Sequence, residues 1–136
     1  MSVSQAVKGQ GTVTTIGGNV IAELTKVDRT GGKANFSNVT NMDSTGGYEE
    51  MLPTTLVAGD VTIAGNFLGN VDASQEALQT LFDNQTLNAC TITLPSGRGT
   101  FSFNAYVAEP PNFALEFDKA ATFTAKLTIT GKPTFA

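Results

Sequence analysis

Apolar and polar residues alternate with a period of two along several stretches of this 136-residue chain. The pattern is clearest near the end, where Phe123, Ala125, Leu127 and Ile129 alternate with threonines and Lys126. A period of two with one apolar face predicts an antiparallel strand that is buried on one side only. The pattern predicts strands over residues 60–67, 90–94, 100–107 and 121–131. The chain is therefore expected to be mainly β structure.

Weaker strand signals precede these four stretches, and glycine pairs separate them. They predict strands over residues 12–16, 20–27 and 36–42. Proline lacks the backbone N–H that a strand ladder uses. Pro110 and Pro111 are therefore expected to interrupt the strand that begins at Thr100, and Pro133 is expected to end the last strand.

One segment has helical periodicity instead. Asp72, followed three residues later by Gln75, has the form of a capping box. Apolar residues then recur at helical spacing: Ala77, Leu78, Leu81 and Phe82. We expect a helix over residues 72–84 that lays its apolar stripe on a sheet. The predicted fold is mainly β: an antiparallel β-sandwich or flattened barrel of about seven strands with one packed α-helix and a long inter-strand loop.

The length fits a single domain spanning residues 1–136. Residues 1–11 are polar and contain Gly9 and Gly11, which predicts a flexible N-terminal arm. No apolar run is long enough for a membrane helix, and the first residues lack the pattern of a signal peptide. The single cysteine, Cys90, excludes an intrachain disulfide, so we expect folding in a reducing compartment.

The long loop is the stretch 43–56, which has neither strand nor helix periodicity. Two glycines break it and Pro53 limits it, yet it carries several apolar residues. Long loops in compact domains are usually functional or disordered, and an apolar, aromatic-bearing loop favours function. We expect it to contact neighbouring copies of the chain. The predicted contact residues are Asp43, Ser44, Thr45, Gly46, Gly47, Tyr48, Glu49, Glu50, Met51, Leu52, Pro53 and Leu56.

Charge is segregated along the chain, whose net charge is −4. No basic residue lies between Lys33 and Arg98, and this middle segment carries seven acids, whereas the flanks carry eight bases and five acids. The acids fit a solvated face, or a surface that meets a basic end of another copy. The candidate basic residues are Lys8, Lys26, Arg29, Lys33, Lys119, Lys126 and Lys132. They do not form the stripe typical of nucleic-acid-binding proteins.

Groups suited to catalysis are scarce. The chain has no histidine, the commonest general base and zinc ligand. Cys90 lies on the apolar face of its strand, which predicts a core residue and not a nucleophile. Glu49 and Glu50 are adjacent on a loop, and nothing places them about a scissile bond. We therefore expect no catalytic residue, metal site or cofactor, and predict that the protein is not an enzyme.

The stretch from Val39 to Phe67 resembles the tail tube proteins of long, non-contractile phage tails. It contains the loop Asp-Ser-Thr-Gly-Gly-Tyr at 43–48, then Pro53, Gly-Asp-Val-Thr at 59–62 and Gly-Asn-Phe at 65–67. The helical segment that follows and the closing Phe-Thr-Ala-Lys-Leu-Thr-Ile-Thr-Gly at 123–131 are similar as well. The resemblance covers most of the chain from about residue 20.

The resemblance implies a structural virion protein that is made in the host bacterial cytoplasm. Its copies would form rings of six that stack into a tail tube, through which DNA passes into the host without specific binding. The implied partners are other copies of the chain and tail proteins such as the tape measure, the tail terminator and the baseplate or tip; no membrane is implied. Segregated charge and open sheet edges suit such contacts between different patches.

A monomeric β-sandwich that binds a carbohydrate or another ligand, as a decoration or adhesion domain, is the alternative. Such a site usually combines aromatic and polar groups in a concave surface. Tyr48 and Tyr106 are the only candidates, and the chain has no tryptophan, which disfavours this alternative. Saturable sugar binding by a strict monomer would favour it.

Overall fold

The structure is a computed structural model that describes residues 8–69 and 73–136. Within these residues the chain forms nine strands and one α-helix. These are β1 (Val13–Ile16), β2 (Asn19–Val20), β3 (Leu24–Thr30), β4 (Lys33–Asn38), β5 (Met51–Val57), β6 (Asp60–Asn66), α1 (Ala73–Asn84), β7 (Asn88–Thr93), β8 (Thr100–Ala114) and β9 (Thr122–Phe135). In this described part, no helix has both the length and the apolar character needed to cross a membrane.

Seven of the strands form one curled antiparallel sheet in the order β2-β1-β7-β8-β9-β6-β3. Strands β4 and β5 pair only with each other. The prediction of a mainly β, antiparallel fold with about seven strands and one packed helix is confirmed. Strands β2 and β3 are the two edges of the sheet.

The core lies on the inner face of this sheet. Buried and more exposed residues alternate along β6 and along the first part of β9, as the period of two predicts. Helix α1 packs against β8 and adds the fully buried Leu78 to the core. Cys90 is 1% exposed within the same cluster, which confirms its prediction as a core residue.

Prolines do not end the two longest strands, so both predictions were wrong. Strand β8 runs through Pro110 and Pro111 to Ala114, and β9 runs through Pro133 to Phe135. The register between β8 and β9 shifts between Glu109 and Asn112, and again opposite Pro133, between Ser102 and Asn104. Such bulges take residues out of the ladder, so the missing proline N–H groups leave no broken hydrogen bond.

The strand predicted over 20–27 is also divided. Strand β2 ends at Val20, β3 begins at Leu24, and Glu23 between them has a positive φ of 54°. The Glu23 carbonyl oxygen accepts a hydrogen bond from the N–H of Asn66 at 3.0 Å. It approaches Gly65 so closely that a Cβ there would overlap it. This tertiary contact, invisible in the local pattern, interrupts the strand.

The helix and the N-terminal arm are described in part. The predicted helix spanned 72–84, and α1 spans Ala73–Asn84; Asp72 of the predicted capping box lies outside the described residues. Residues 1–7 of the predicted arm also lie outside them. Following Lys8, a turn forms in which both the N–H and the hydroxyl of Thr12 donate to the carbonyl oxygen of Gly9, at 3.2 and 2.7 Å.

Candidate assembly surface

Strands β4 and β5 with their connection form a projecting hairpin, residues 33–57, which we call the arm. The β3–β6 ladder ends at the pair Thr30 and Asp60, and the β4–β5 ladder begins at Lys33 and Val57. The residue numbers of these two pairs both add up to 90, so the arm continues the β3–β6 hairpin in the same register beyond the ends of β3 and β6.

This pairing corrects two sequence predictions. The loop predicted over 43–56 ends at Glu50, because residues 51–57 form β5. The strand predicted over 36–42 begins earlier and ends earlier, as β4. Pro53 is tolerated because the register shifts between Ala34 and Phe36, next to its position opposite Phe36.

The root of the arm is fixed to the large sheet. Gly59 has a φ of +97°, and a Cβ there would overlap the carbonyl oxygen of Thr30. The Arg29 guanidinium donates to the carbonyl oxygen of Ala58 through Nε at 3.1 Å and Nη2 at 2.9 Å. The same guanidinium lies over the Phe101 ring, 4.8 Å from its centroid. The junction therefore needs a glycine between β5 and β6 and an arginine on β3.

The arm has one apolar face. Residues opposite each other in the ladder share a face, and so do residues two apart on one strand. With the register shift, this places on one face the apolar residues Ala34, Phe36, Met51, Pro53 and Leu56, together with Asn38 at its outer end. The Asn35 amide donates to the Thr55 hydroxyl at 2.9 Å on the more polar face.

The apolar face of the arm is open to solvent. Phe36 is 54% exposed, Met51 50% and Leu56 83%. An isolated two-stranded hairpin is at best marginally stable in water. A contiguous apolar surface of this kind marks an interaction site in a soluble protein.

The tip of the arm, residues 39–50, is shaped by its own hydrogen bonds. The Asn41 side-chain oxygen accepts from the Asp43 N–H at 2.8 Å, and the Thr40 hydroxyl accepts from the Glu50 N–H at 2.8 Å. Tyr48 is 79% exposed. Among the described residues no ion pair involves the tip acids Asp43, Glu49 or Glu50. The tip is thus an acidic surface with an exposed aromatic ring.

Three of the predicted basic residues are paired within the chain. Lys26 lies 3.1 Å from Asp28, Lys119 lies 3.2 Å from Glu116, and Lys126 lies 3.5 Å from Asp60. Lys119 is at the far end of the sheet from the arm. The seven predicted basic residues therefore do not form one surface.

Two clefts bring the other basic residues together. Arg29, Lys33 and Lys132 line a cleft of about 620 Å³ beside the arm root, with apolar walls from Leu56 and Pro133. We call it the root cleft. A second cleft, of about 900 Å³, is lined by several residues on the other side of Arg29. These include Lys8, Lys26, Arg29, Phe101 and Phe135.

A second apolar projection, not predicted from the sequence, lies at the turn between β8 and β9. Phe113 is 60% exposed, Leu115 68% and Phe117 106%. Phe113 stacks on Phe67 with ring centroids 4.9 Å apart. We call residues 113–119 the β8–β9 tip. The alternation of Phe113, Leu115 and Phe117 was a usable signal, but the preceding prolines obscured it.

The site chemistry favours binding over catalysis. Across residues 8–69 and 73–136, no group of three or more Cys, Asp and Glu side chains is placed to hold a metal ion. Burial raises the pKa of Cys90 to about 11, so its thiol stays protonated and unreactive at neutral pH. Tyr48 and Tyr106 line neither of the two clefts, so the structure does not gather them into a ligand site.

Comparison with known proteins identifies a family for this chain and several structural relatives. A family model described as phage tail tube protein, TTP, matches residues 2–136. No curated protein matches the chain. The chain resembles a protein in the virion of a native gene transfer agent particle, with a TM-score of 0.79 and 19% identity over 96% of this chain and 99% of the other.

Two further structures have the same fold. In the tail of an empty gene transfer agent particle with C6 symmetry, the match has a TM-score of 0.72 and 19% identity over 87% of this chain and 85% of the other. In the sheath-tube complex of an extracellular contractile injection system, PVC, it has a TM-score of 0.70 and 12% identity over 98% and 93% of the two chains. At these identities the likeness concerns the fold.

Proposed function

The chain belongs to the phage tail tube protein family, and we propose that its copies form rings of six that stack into a tube conducting DNA. The family makes it a structural protein of the virion tail. Beyond family membership, we propose that the copies form a ring, that the ring has six copies, that DNA passes through the tube, and that the arm makes a contact between copies.

The arm is the observation that carries this proposal. Its apolar face is largely exposed, and its root is held to the sheet by the Arg29 hydrogen bonds to Ala58, where Gly59 allows close approach to Thr30. A fixed root with an open apolar face suits a contact made between folded subunits. We infer that the apolar face packs on a neighbouring copy and that the tip residues Asp43–Glu50 extend this contact.

Ring geometry is supported by the two different edges of the sheet. A closed ring needs a heterologous interface, in which one patch meets a different patch. Strands β2 and β3 are such a pair of unlike edges, and exposed edges can pair between chains. The six-fold number comes from the relative in the gene transfer agent tail with C6 symmetry.

The charge of the chain suits a conduit for DNA. Each subunit carries a net charge of −4, and three of its basic side chains already form ion pairs with acids of the same chain. Proteins that hold DNA do so by neutralising phosphates with basic groups. A net acidic subunit lets DNA slide without this attraction. We propose that other tail proteins cap the two open ends of the tube.

Substitution of Leu56 by serine tests the role of the arm. A fully buried leucine contributes about 1.5–3 kcal/mol. Because Leu56 is 83% exposed in the single subunit, most of this is available for assembly. Leu56→Ser is expected to weaken assembly by about 2 kcal/mol per subunit, which raises the concentration needed for tubes about thirtyfold. The free energy of unfolding of the monomer should change by less than about 0.5 kcal/mol.

The matched control is Leu87→Ser, because Leu87 is also exposed (49%) but lies outside the arm. Leu56 also lines the root cleft, whereas Met51 shares the apolar face and lies outside that cleft, so Met51→Ser should raise the threshold as well. Negative-stain microscopy and sedimentation over a range of concentrations give the assembly threshold of each variant. Leu56→Ser protein that forms tubes at the wild-type threshold would show that the arm is not the contact. Wild-type protein that forms no tube or ring at any concentration would refute the proposed function.

A further inference from the structure

The root cleft and the β8–β9 tip lie at opposite ends of the same strand. The first residue of β9, Thr122, pairs with Ala114 beside the tip, whereas Gly131 and Pro133 of β9 line the root cleft. Gly131 lies nine positions after Thr122, which is about 30 Å along an extended strand. The structure thus has an apolar projection at one end of the sheet and an apolar cleft at the other.

The two surfaces are complementary in chemistry. Phe117 is fully exposed and stands between the acids Glu116 and Asp118. Among the described residues Asp118 forms no ion pair, whereas Glu116 forms an ion pair with Lys119. The root cleft offers apolar walls, and its lining includes Lys33 and Lys132, which form no ion pair in the described chain. Such a cleft can bind an aromatic ring flanked by carboxylates, because its apolar walls contact the ring and its lysines attract the carboxylates.

We infer that the β8–β9 tip of one copy inserts Phe117 into the root cleft of a second copy, and that this contact stacks the rings. The inference rests on the proposed function. Two different surfaces at opposite ends of a subunit make a head-to-tail contact, which repeats without closing and so yields an open-ended stack. The polarity of the stack follows because every subunit presents its cleft in one direction and its tip in the other.

The tip of the arm is an alternative occupant for the root cleft of another copy, because it also carries acids: Asp43, Glu49 and Glu50. Its position argues for a different contact. The arm projects from the cleft end of its own sheet. When subunits stack head to tail, the surface that faces a root cleft is the opposite end of the next subunit, where the β8–β9 tip lies.

Charge reversal with rescue tests the inference. The double variant Lys33→Glu/Lys132→Glu should raise the concentration needed for long tubes at least about tenfold, because acids then face acids at each ring junction. Adding Glu116→Lys and Asp118→Lys to the same chain should restore tubes, since both signs are then exchanged. Adding Glu49→Lys and Glu50→Lys instead produces the same net charge and should not restore them.

Tube length in negative-stain micrographs and the assembly threshold by sedimentation are the readouts. Lys33→Arg/Lys132→Arg, which keeps both charges, should assemble like the wild type. Phe117→Ser should shorten tubes while leaving the thermal unfolding of the monomer unchanged, because the side chain is fully exposed. Rescue by the Glu49 and Glu50 reversals, or tubes unaffected by the double reversal, would overturn the inference while the proposed function stands. Wild-type protein that forms no tubes would overturn both.

Discussion

Gln75 ties the start of α1 to the segment 66–68 and to Ala22 between β2 and β3, and its replacement by leucine should destabilise the fold. The side chain is 2% exposed in the first turn of α1. Its Nε2 donates to the carbonyl oxygens of Asn66 at 2.9 Å and Ala22 at 3.3 Å, and its Oε1 accepts from the Leu68 N–H at 2.8 Å. Leucine has a similar size and can make none of these bonds.

The magnitude follows from the three backbone groups that lose this partner. A buried donor left without an acceptor costs about 1–3 kcal/mol, and each lost bond to a carbonyl that water can still reach costs about 0.5–1.5 kcal/mol. The site is partly buried, so water replaces some of the loss. We expect Gln75→Leu to lower the free energy of unfolding by about 3 kcal/mol. With a urea dependence near 2 kcal/mol per molar, the midpoint falls by about 1.5 M.

Urea unfolding followed by circular dichroism, at concentrations where the chain is monomeric, measures this shift. Gln79→Leu is the matched control: it makes the same change one turn further along α1, where the side chain is exposed and donates to Asp83 at 3.0 Å. The control should cost less than about 0.5 kcal/mol. Equal midpoints for the two variants would refute the role assigned to Gln75.

Two further changes probe the arm root and the core. Gly59→Ala should lower the free energy of unfolding by about 2 kcal/mol or more in urea titrations, because a Cβ at this positive φ would meet the Thr30 carbonyl oxygen. Gly18 has a similar φ of +88°, but a Cβ there would have nothing within 4 Å, so Gly18→Ala is the control. An equal loss of stability in Gly18→Ala would contradict the steric cause. Cys90 has its pKa raised by burial from 9.0 to about 11, so the unfolded chain ionises first as pH rises. The free energy of unfolding should keep the Cys90 contribution below pH 9 and lose it between pH 9 and 11. Cys90→Val should lack this part of the pH dependence. Identical pH profiles for the wild type and Cys90→Val would contradict the effect assigned to the Cys90 thiol.

Much of the sheet was predictable from the chain itself. The period of two in β6, β7 and β9 identifies the residues that face the core, because alternation is a local property of an extended backbone. The apolar stripe of α1 is equally local, and Leu78 is fully buried as expected. The same reasoning failed at Pro110, Pro111 and Pro133, where bulges allow a strand to continue. A bulge depends on the partner strand, which local periodicity does not describe.

The candidate surface divides in the same way. The sequence by itself determined that residues 43–56 are unusual: apolar, aromatic and acidic, with no helical or strand period. Only the tertiary structure decided that residues 51–57 pair with β4, so that Phe36 and Leu56 share one exposed face. It also decided that Lys33 and Lys132, 99 positions apart, meet at the root cleft, and that Phe117 lies at the other end of the sheet. The physical reason is that a strand specifies which residues alternate, whereas pairing across the ladder specifies which residues become neighbours.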